Sequence, residues 1–552
     1  MANLRIASLT ALALCTLVAA CGGDDADESA PASALNPGGT GAYQDDGAAD
    51  ERGRGNGTQI GQAGGSSSGK GGSSSGKGGD SSGKGGGSFG ASGGAGSSGG
   101  VAPPPAPPEN EPVVEPPTIV SCAELDKEKP ATFYLSADDS NSMASPVMAR
   151  HALRAGNFQH AGFIRTYEFL NYYNVAFERP LEGELNIVPQ LRDGDAAGTV
   201  SLQIGVQAGV SAGVRRPATL TFVLDTSGSM SGVPILNQRH SMHAIANKLQ
   251  AGDIVSIVTW DTQNRVELSG HTVSGPNDAK LLSVVDKLSA AGGTDLNGGL
   301  TKGYELAQQH FGANRINRVV VISDGIANVG VTQESLIGKH ADDNNKEGIY
   351  LVGVAVGEGF NDTLLNVVTD AGNGAYLYVD SEEEANKMLD VRFEETFQVA
   401  ARDVRVKADY PWYFQVKQFF GEEYSTDPAK VKPQHLAPGD AMVFNQVLAA
   451  CDATEIKDAD PFSFTVTWGD PISYETKSVS KTVSLGDLRA AGKHELQKGE
   501  AIVAYAEALK LTNVDERKTA AQAAAQKVAA ADPDGQDPAL NEIKELLELV
   551  QK

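Results

Sequence analysis

The chain predicts an α/β doubly wound, Rossmann-like domain inserted in a β-rich frame, with a helical segment at the C-terminal end and a long disordered tether before the folded part. Three observations carry this reading. Between residues 217 and 400, short β-branched apolar runs alternate with segments whose apolar residues recur at helical spacing, the pattern of a sheet covered by helices on both faces. On either side of that unit the period falls to two, as in Val404-Arg405-Val406-Lys407 and Phe462-Ser463-Phe464-Thr465-Val466, which reads as antiparallel strand. From residue 22 to about 117 there is no hydrophobic periodicity at all, and Gly, Ser, Asp and then Pro dominate.

The first residues, Met-Ala-Asn-Leu-Arg, lead into a charge-free, largely apolar run over 6–20 and then Cys21, so residues 1–20 read as a secretory signal peptide. The run is too short to span a bilayer comfortably as a permanent helix. Leu17-Val18-Ala19-Ala20-Cys21 resembles the lipobox of bacterial lipoproteins, and the resemblance implies lipidation of Cys21 and a membrane-anchored protein of the bacterial cell envelope. An outer-membrane anchor is expected, with the periplasmic or the surface side left open. An ordinary cleaved signal that contains a cysteine is the alternative.

Residues 21–118 are expected to be a disordered tether. The unit Gly-Gly-Ser-Ser-Ser-Gly-Lys at 64–70 and 71–77 returns as Gly-Gly-Asp-Ser-Ser-Gly-Lys at 78–84 and nearly spells a phosphate-binding loop. Each Lys is followed by Gly in place of Ser or Thr, and neither strand nor helix adjoins, so a flexible spacer is the better reading. Random-coil scaling gives a reach of roughly 50 Å or more, stiffened by the Pro-rich stretch 103–117.

Globular patterning starts near Ile119. Residues 119–216 read as a flanking region of helices and strands, with alternation clearest over 185–208. In the α/β unit, 217–400, strands are expected at 219–224, 253–260, 319–322, 349–356 and 375–379. Helices are marked by Ile235, Met242, Ile245 and Leu249, then by Leu281, Leu282, Val285 and Leu288, then by Leu300, Tyr304, Ala307 and Phe311. The β-rich region 401–495 should join the earlier strands into one domain. From Lys498 the chain turns helical and Ala-rich (region 496–552), is broken at Asp532-Pro533-Asp534-Gly535, and closes on an amphipathic helix over 540–550.

The formal net charge of −25 argues against nucleic acid or an anionic membrane surface as a partner through bulk electrostatics. Beyond Cys21, Cys122 and Cys451 stand at opposite ends of the β-rich frame. In an exported chain a disulfide between them is the simplest use; two separately buried thiols are the alternative.

The first strand of the α/β unit ends in Asp225-Thr226-Ser227-Gly228-Ser229, and ligands of open α/β sheets bind at that carboxyl end. The D-x-S-x-S pattern alone is weak: Asp138-Asp139-Ser140-Asn141-Ser142 fits it too. After Asp225, however, the chain supplies Gly292-Gly293-Thr294-Asp295 in the loop before the third helix and Ser323-Asp324-Gly325 straight after an apolar strand, both on the same rim. With those three loops in order, residues 217–400 resemble the von Willebrand factor A domain with its metal-ion-dependent adhesion site. The resemblance implies that Ser227, Ser229 and Thr294 offer hydroxyl oxygens to a metal whose waters Asp225 and Asp324 hold. Hard oxygen donors suit a divalent cation, Mg²⁺ first, with Mn²⁺ or Ca²⁺ open. Neutral hydroxyls leave the cation's charge uncancelled, so a protein partner supplying an Asp or Glu carboxylate is expected. Serines that merely cap a helix are the bland alternative. Around the unit, Phe163-Ile164-Arg165-Thr166-Tyr167-Glu168-Phe169-Leu170-Asn171-Tyr172-Tyr173 and the C-terminal region from Ala501 resemble the flanks of bacterial lipoproteins carrying this domain; the stretch at Asp138 departs in detail and is assigned no metal.

The expectation is therefore binding without catalysis. His240 and His243 stand three apart on the first helix but lack an accompanying carboxylate or Cys in the sequence, and Ser227 lacks an identifiable base. Two rivals remain: an envelope scaffold whose metal only stiffens the fold, which would bind partners in the presence of a chelator, and a hydrolase, whose Ser227 would react with a serine-directed probe.

Overall fold

The computed structural model describes residues 119–552 apart from 139–140, 160, 211–212, 326–347 and 359. The expected signal peptide, Cys21 and the repeat-bearing tether lie outside the described residues. Among those described, no helix is long and apolar enough to cross a membrane.

The N-terminal flank contributes β1 (Ala131–Ser136), α1 (Ala144–Arg154), α2 (Thr166–Tyr172), β2 (Leu185–Asp193) and β3 (Thr199–Ala208). The chain then enters the α/β unit: β4 (Ala218–Asp225), α3 (Val233–Lys248), β5 (Ile254–Trp260), β6 (Asn264–Thr272), α4 (Ala279–Val285), α5 (Leu296–Gln309), β7 (Ile316–Ser323), β8 (Tyr350–Val356), α6 (Asp362–Ala371), β9 (Tyr376–Val379), α7 (Glu382–Asn386) and α8 (Phe393–Phe397). It returns to the frame with β10 (Ala401–Tyr410), β11 (Phe414–Phe419), β12 (Glu423–Ser425), β13 (Gln434–Leu436), β14 (Ala441–Ala450), β15 (Pro461–Gly469) and β16 (Thr476–Ser484). Helices α9 (Leu485–Ala490), α10 (His494–Lys510), α11 (Val514–Ala531) and α12 (Pro538–Gln551) complete it.

The α/β unit is doubly wound as expected, with strand order β6-β5-β4-β7-β8-β9. All its pairings are parallel except β5 with β6. Strand β4 explains why its sequence reads as an unbroken apolar run: Leu220, Phe222 and Leu224 join the core on one face and Val223 the core on the other, so both faces are covered. Trp260, Leu300 and Tyr304 fill the second face. Helix starts are set locally. Asp278 accepts the backbone N–H groups of Lys280 and Leu281 at 3.1 Å, Asp295 that of Gly298 at 3.0 Å and Asn361 that of Leu364 at 3.1 Å.

The flanks form a sandwich of two antiparallel sheets around one core that includes Leu202, Ile204, Val206, Val406, Phe444 and Phe464. One sheet runs β12-β1-β10-β15-β16, with β13 also on β10; the other runs β11-β14-β3-β2. Strands from before and after the α/β unit thus pair directly, β1 with β10 and β3 with β14, which is what an insertion requires. Cys122 and Cys451 are disulfide-bonded, with Cα atoms 5.2 Å apart across 329 residues.

Four details differ from expectation. The antiparallel edge strand β6 was not anticipated, because most of its side chains are exposed and carry no alternation. Strand β1 was not singled out. Helix begins again at Leu485, inside the region expected to be β-rich, where Ser484 accepts the Asp487 N–H. The C-terminal Ala-rich run is broken not only after Ala531 but also before Val514, where Asn513 caps α11.

The flanking helices share a core with the α/β unit: Phe169, Tyr505 and Leu547 belong to the same cluster as Leu220 and Phe222. Buried Arg150 of α1 ties four segments together, donating to Asp380 (3.0 Å), Glu384 (2.9 Å), the Tyr172 hydroxyl (2.7 Å) and Glu542 (3.2 Å). Arg165 likewise reaches across to Asp362 with both terminal nitrogens, at 2.8 and 3.1 Å.

Candidate metal centre

The strand order reverses at β4, which has β5 on one side and β7 on the other, so the loops leaving β4 and β7 diverge and open a crevice at the carboxyl rim. Asp225, the last residue of β4, and Asp324, directly after β7, stand on that crevice; Leu224 is in register with Ile322. The third loop is drawn in by backbone hydrogen bonds: Gly228 N–H donates to Gly292 (3.1 Å) and Ala291 N–H to Thr226 (2.8 Å). Thr294 follows on that loop and is buried.

Asp225 is fully buried. One carboxylate oxygen accepts the Ser227 N–H at 2.8 Å and the other the Ser323 hydroxyl at 2.6 Å, while its carbonyl accepts the Gln238 amide at 3.0 Å. Ser323 in turn accepts the Gly325 N–H at 2.7 Å. Gly325 has φ +69°, and a Cβ there would stand 3.1 Å from the Asn361 carbonyl, so the turn that sets Asp324 requires glycine. The Asp324 carbonyl accepts the Asn361 N–H at 2.9 Å.

Burial first, and then the charge of Asp324, push the Asp225 carboxyl up to about 7 against the hydrogen bonds from Ser323 and Ser227. Relative to an ordinary aspartate, a rise of that size makes ionisation harder by on the order of 4 kcal/mol. Two acidic groups are held together in a setting that favours a positive charge between them.

The serines do not cap a helix. Ser227 precedes a short 3₁₀ turn, Gly228–Met230, without a side-chain cap bond, and α3 starts only at Val233. Instead the Ser227 and Ser229 hydroxyls lie 3.0 Å apart, Ser227 buried and Ser229 exposed. Among the described residues no three His, Cys, Asp or Glu side chains form a group that could hold a metal. The donors at the crevice are two carboxylates and the hydroxyls of Ser227, Ser229 and Thr294, a set that fits a hard divalent cation.

Asp138 is used differently. Its carboxylate accepts the Ser142 N–H (2.7 Å) and the Asn171 amide (2.8 Å), a buried tie between the ends of two flanking segments; Asp139 and Ser140 lie outside the described residues. His240 and His243 do not act as a pair: the first lies 3.8 Å from Glu382, the second 2.9 Å from Asp286. The sequence places Ser323 in a rim loop without assigning it a role, and it does not single out Gln238, Asn361 or Thr262, whose hydroxyl accepts the Gly293 N–H at 2.7 Å.

Comparison with known proteins bears on the fold that carries this crevice. Residues 219–391 match the von Willebrand factor type A domain family. The uncharacterized protein YfbK of Escherichia coli strain K12 is 26% identical over 305 residues, which cover 52% of this chain and 52% of that protein. Inter-alpha-trypsin inhibitor heavy chain H1 of Bos taurus is 25% identical over 193 residues, 34% of this chain and 21% of the relative. The chain thus spans about half or less of the length of these relatives. Among solved structures, a von Willebrand factor type A protein from Catenulispora acidiphila aligns over 67% of this chain and 98% of its own at 12% identity, with a TM-score of 0.42. The sheet order and the family match over β4 to the last helices lead to one identification: residues 219–391 are a von Willebrand factor type A domain.

Proposed function

We propose that this chain is a lipid-anchored protein of the bacterial cell envelope that binds a protein partner through a divalent cation, Mg²⁺ first, at the rim of its von Willebrand factor type A domain, and that it is not an enzyme. The observation that carries the reading is the convergence of the Asp225, Thr294 and Asp324 loops on the sheet's switch point, with two buried acidic groups and hydroxyl donors together. Ser227, Ser229 and Thr294 would hold the ion through hydroxyl oxygens, and Asp225 and Asp324 would orient its waters. When bound, it supplies a Lewis-acid position for an Asp or Glu carboxylate of the partner.

The chain's own residues do the rest. Ser323 and the Ser227 N–H fix the Asp225 carboxylate in one orientation, and the Asn361 N–H and Gly325 fix the Asp324 turn. Lipidation at Cys21 rests on the lipobox-like residues 17–21. The test uses the metal alone: titration of the full chain with Mn²⁺ should give one saturable site in the wild type. Capture of partner from envelope extract should then fail in EDTA and return with Mg²⁺. Absence of saturable Mn²⁺ binding overturns the reading; capture that survives EDTA assigns the protein to the scaffold class instead.

A further inference from the structure

At the end of the central sheet opposite the metal rim, the α/β unit meets the frame around four arginines. Arg216 precedes β4, Arg315 precedes β7, Arg318 lies within β7, and Arg402 belongs to β10 of the frame. Together with Tyr350 of β8 and Tyr474 of the β15–β16 turn they line a cavity of about 40 Å³. No carboxylate lines it among the described residues. In a chain with 70 acidic and 45 basic residues, four cations around one void without an acid in its wall is not what mutual neutralisation would produce.

The hydrogen bonds show which donors are spent. Arg315 gives its Nε to the Thr219 hydroxyl (2.8 Å) and one terminal nitrogen to the carbonyls of Ala218 (2.6 Å) and Gly252 (2.8 Å). Arg402 gives its Nε to Asp403 (2.9 Å), outside the cavity wall, and its guanidinium lies 4.6 Å from the Tyr474 ring centroid. Arg318 is only 6% exposed; it lies 4.9 Å from the Tyr350 ring centroid and makes a single hydrogen bond, to the Asn317 carbonyl (2.8 Å). Arg216 has no side-chain hydrogen bond or ion pair among the described residues, and Asp470, beside the wall residue Pro471, is the acid whose charge acts on it.

The other two buried arginines among the described residues are each matched by acids: Arg150 by Asp380, Glu384 and Glu542, and Arg215 by Asp253. Arg318 is buried to the same degree, and among the described residues no carboxylate pairs with it. Burying a charge without a counter-charge is unfavourable, so the arrangement suits an anion drawn into the cavity. Consistent with that, burial, helped by the charge of Arg216 and opposed by the Tyr350 phenol, pulls the Arg318 guanidinium down to about 10.

We propose that this cavity binds one free inorganic oxyanion of phosphate or sulfate size, held by Arg318, Arg216 and Arg402, so that the anion clamps the von Willebrand factor type A domain onto the frame. The size fits: at about 10–15 Å³ for each water-sized probe, the void takes on the order of three such groups, comparable to the oxygens of one small oxyanion. The chemistry fits as well, because guanidinium forks match paired oxygens, whereas a spherical ion uses only one direction of each fork. The site is independent of the metal rim and does not rest on the function proposed above.

The test is calorimetric titration of the full chain with inorganic phosphate at constant ionic strength, with sulfate as competitor. The wild type should bind one equivalent saturably, and its melting temperature should rise with phosphate but not with the same ionic strength of chloride. Arg318→Gln and, separately, Arg402→Gln should each weaken binding by about tenfold or more. Arg154→Gln, on the exposed end of α1, and Asp225→Ala, at the metal rim, should bind phosphate as the wild type does. Circular dichroism checks that each variant is folded, and Arg402→Gln carries the test should Arg318→Gln fail to fold. Absence of saturable phosphate or sulfate binding in the wild type at millimolar concentration overturns the proposal, as does binding unchanged in folded Arg318→Gln and Arg402→Gln.

Discussion

Two stretches of this chain carry the same D-x-S-x-S spelling, and the fold puts them to different uses. Asp225 ends a central parallel strand at the point where the sheet order reverses, and two further loops converge on it. Asp138 follows β1 of the antiparallel frame and spends its carboxylate on the Ser142 N–H and the Asn171 amide. At Asp225 the acid is brought beside another acid, Asp324; at Asp138 it meets hydrogen-bond donors. The pattern fits metal chemistry only at the strand end, because among the described residues only there do other loops arrive with complementary oxygens and a second negative charge.

That contrast can be broken by cutting the frame while leaving the sheet alone. Closing a ring across 329 residues is worth about 5 to 6 kcal/mol by the chain-entropy model, before native strain is subtracted. Cys451→Ser, or reduction, should lower the denaturant midpoint by the largest margin of any change considered, with Mn²⁺ affinity of the folded protein unaltered. A fall in metal affinity would show that the rim depends on the frame. Next in size, Asp225→Ala should weaken Mn²⁺ binding by about a hundredfold or more, roughly 3 kcal/mol, with little change in melting temperature in EDTA. Removing a buried acid that is disfavoured as an anion takes away a cost along with two hydrogen bonds. Asp138→Ala should do the reverse: lose roughly 1–3 kcal/mol for each donor left without an acceptor, and leave Mn²⁺ affinity untouched. An Asp138→Ala protein that loses metal would falsify the division of roles. Smallest of all, Ser229→Ala, which removes one exposed hydroxyl, should cost about tenfold in Mn²⁺ affinity, or 1.4 kcal/mol, and nothing in stability.

The α/β unit was legible in the sequence because its strands are buried on both faces and read as apolar runs, with helical periods between them. The three rim loops were legible because they interrupt those runs with Asp, Ser, Thr and Gly at fixed order. Strand β6 escaped notice because an edge strand needs only backbone pairing, and Asn264 to Glu267 are all exposed. The supports of the site were not legible for a different reason. Thr262, Gln238 and Asn361 act from loops and a helix far along the chain, through one hydrogen bond each, and nothing in their neighbours marks them. The arginine cavity was equally hidden, since Arg216 and Arg318 lie about a hundred residues apart at the leading ends of two paired strands and Arg402 joins them only when the inserted unit lies against the frame.

The disulfide also determines how the molecule carries load. Residues before Cys122 enter the fold at a cross-link that leads directly to Cys451, so a pull on the leading segment reaches the frame along two strands of covalent chain at once. The von Willebrand factor type A domain lies within the closed ring. Tension between the leading segment and the Asp225 rim therefore divides between the path running forward through β1 to β3 and the path running backward through β14 and β10. Tension between the leading segment and the C-terminal helices crosses the disulfide and reaches the inserted domain only through the core those helices share with it.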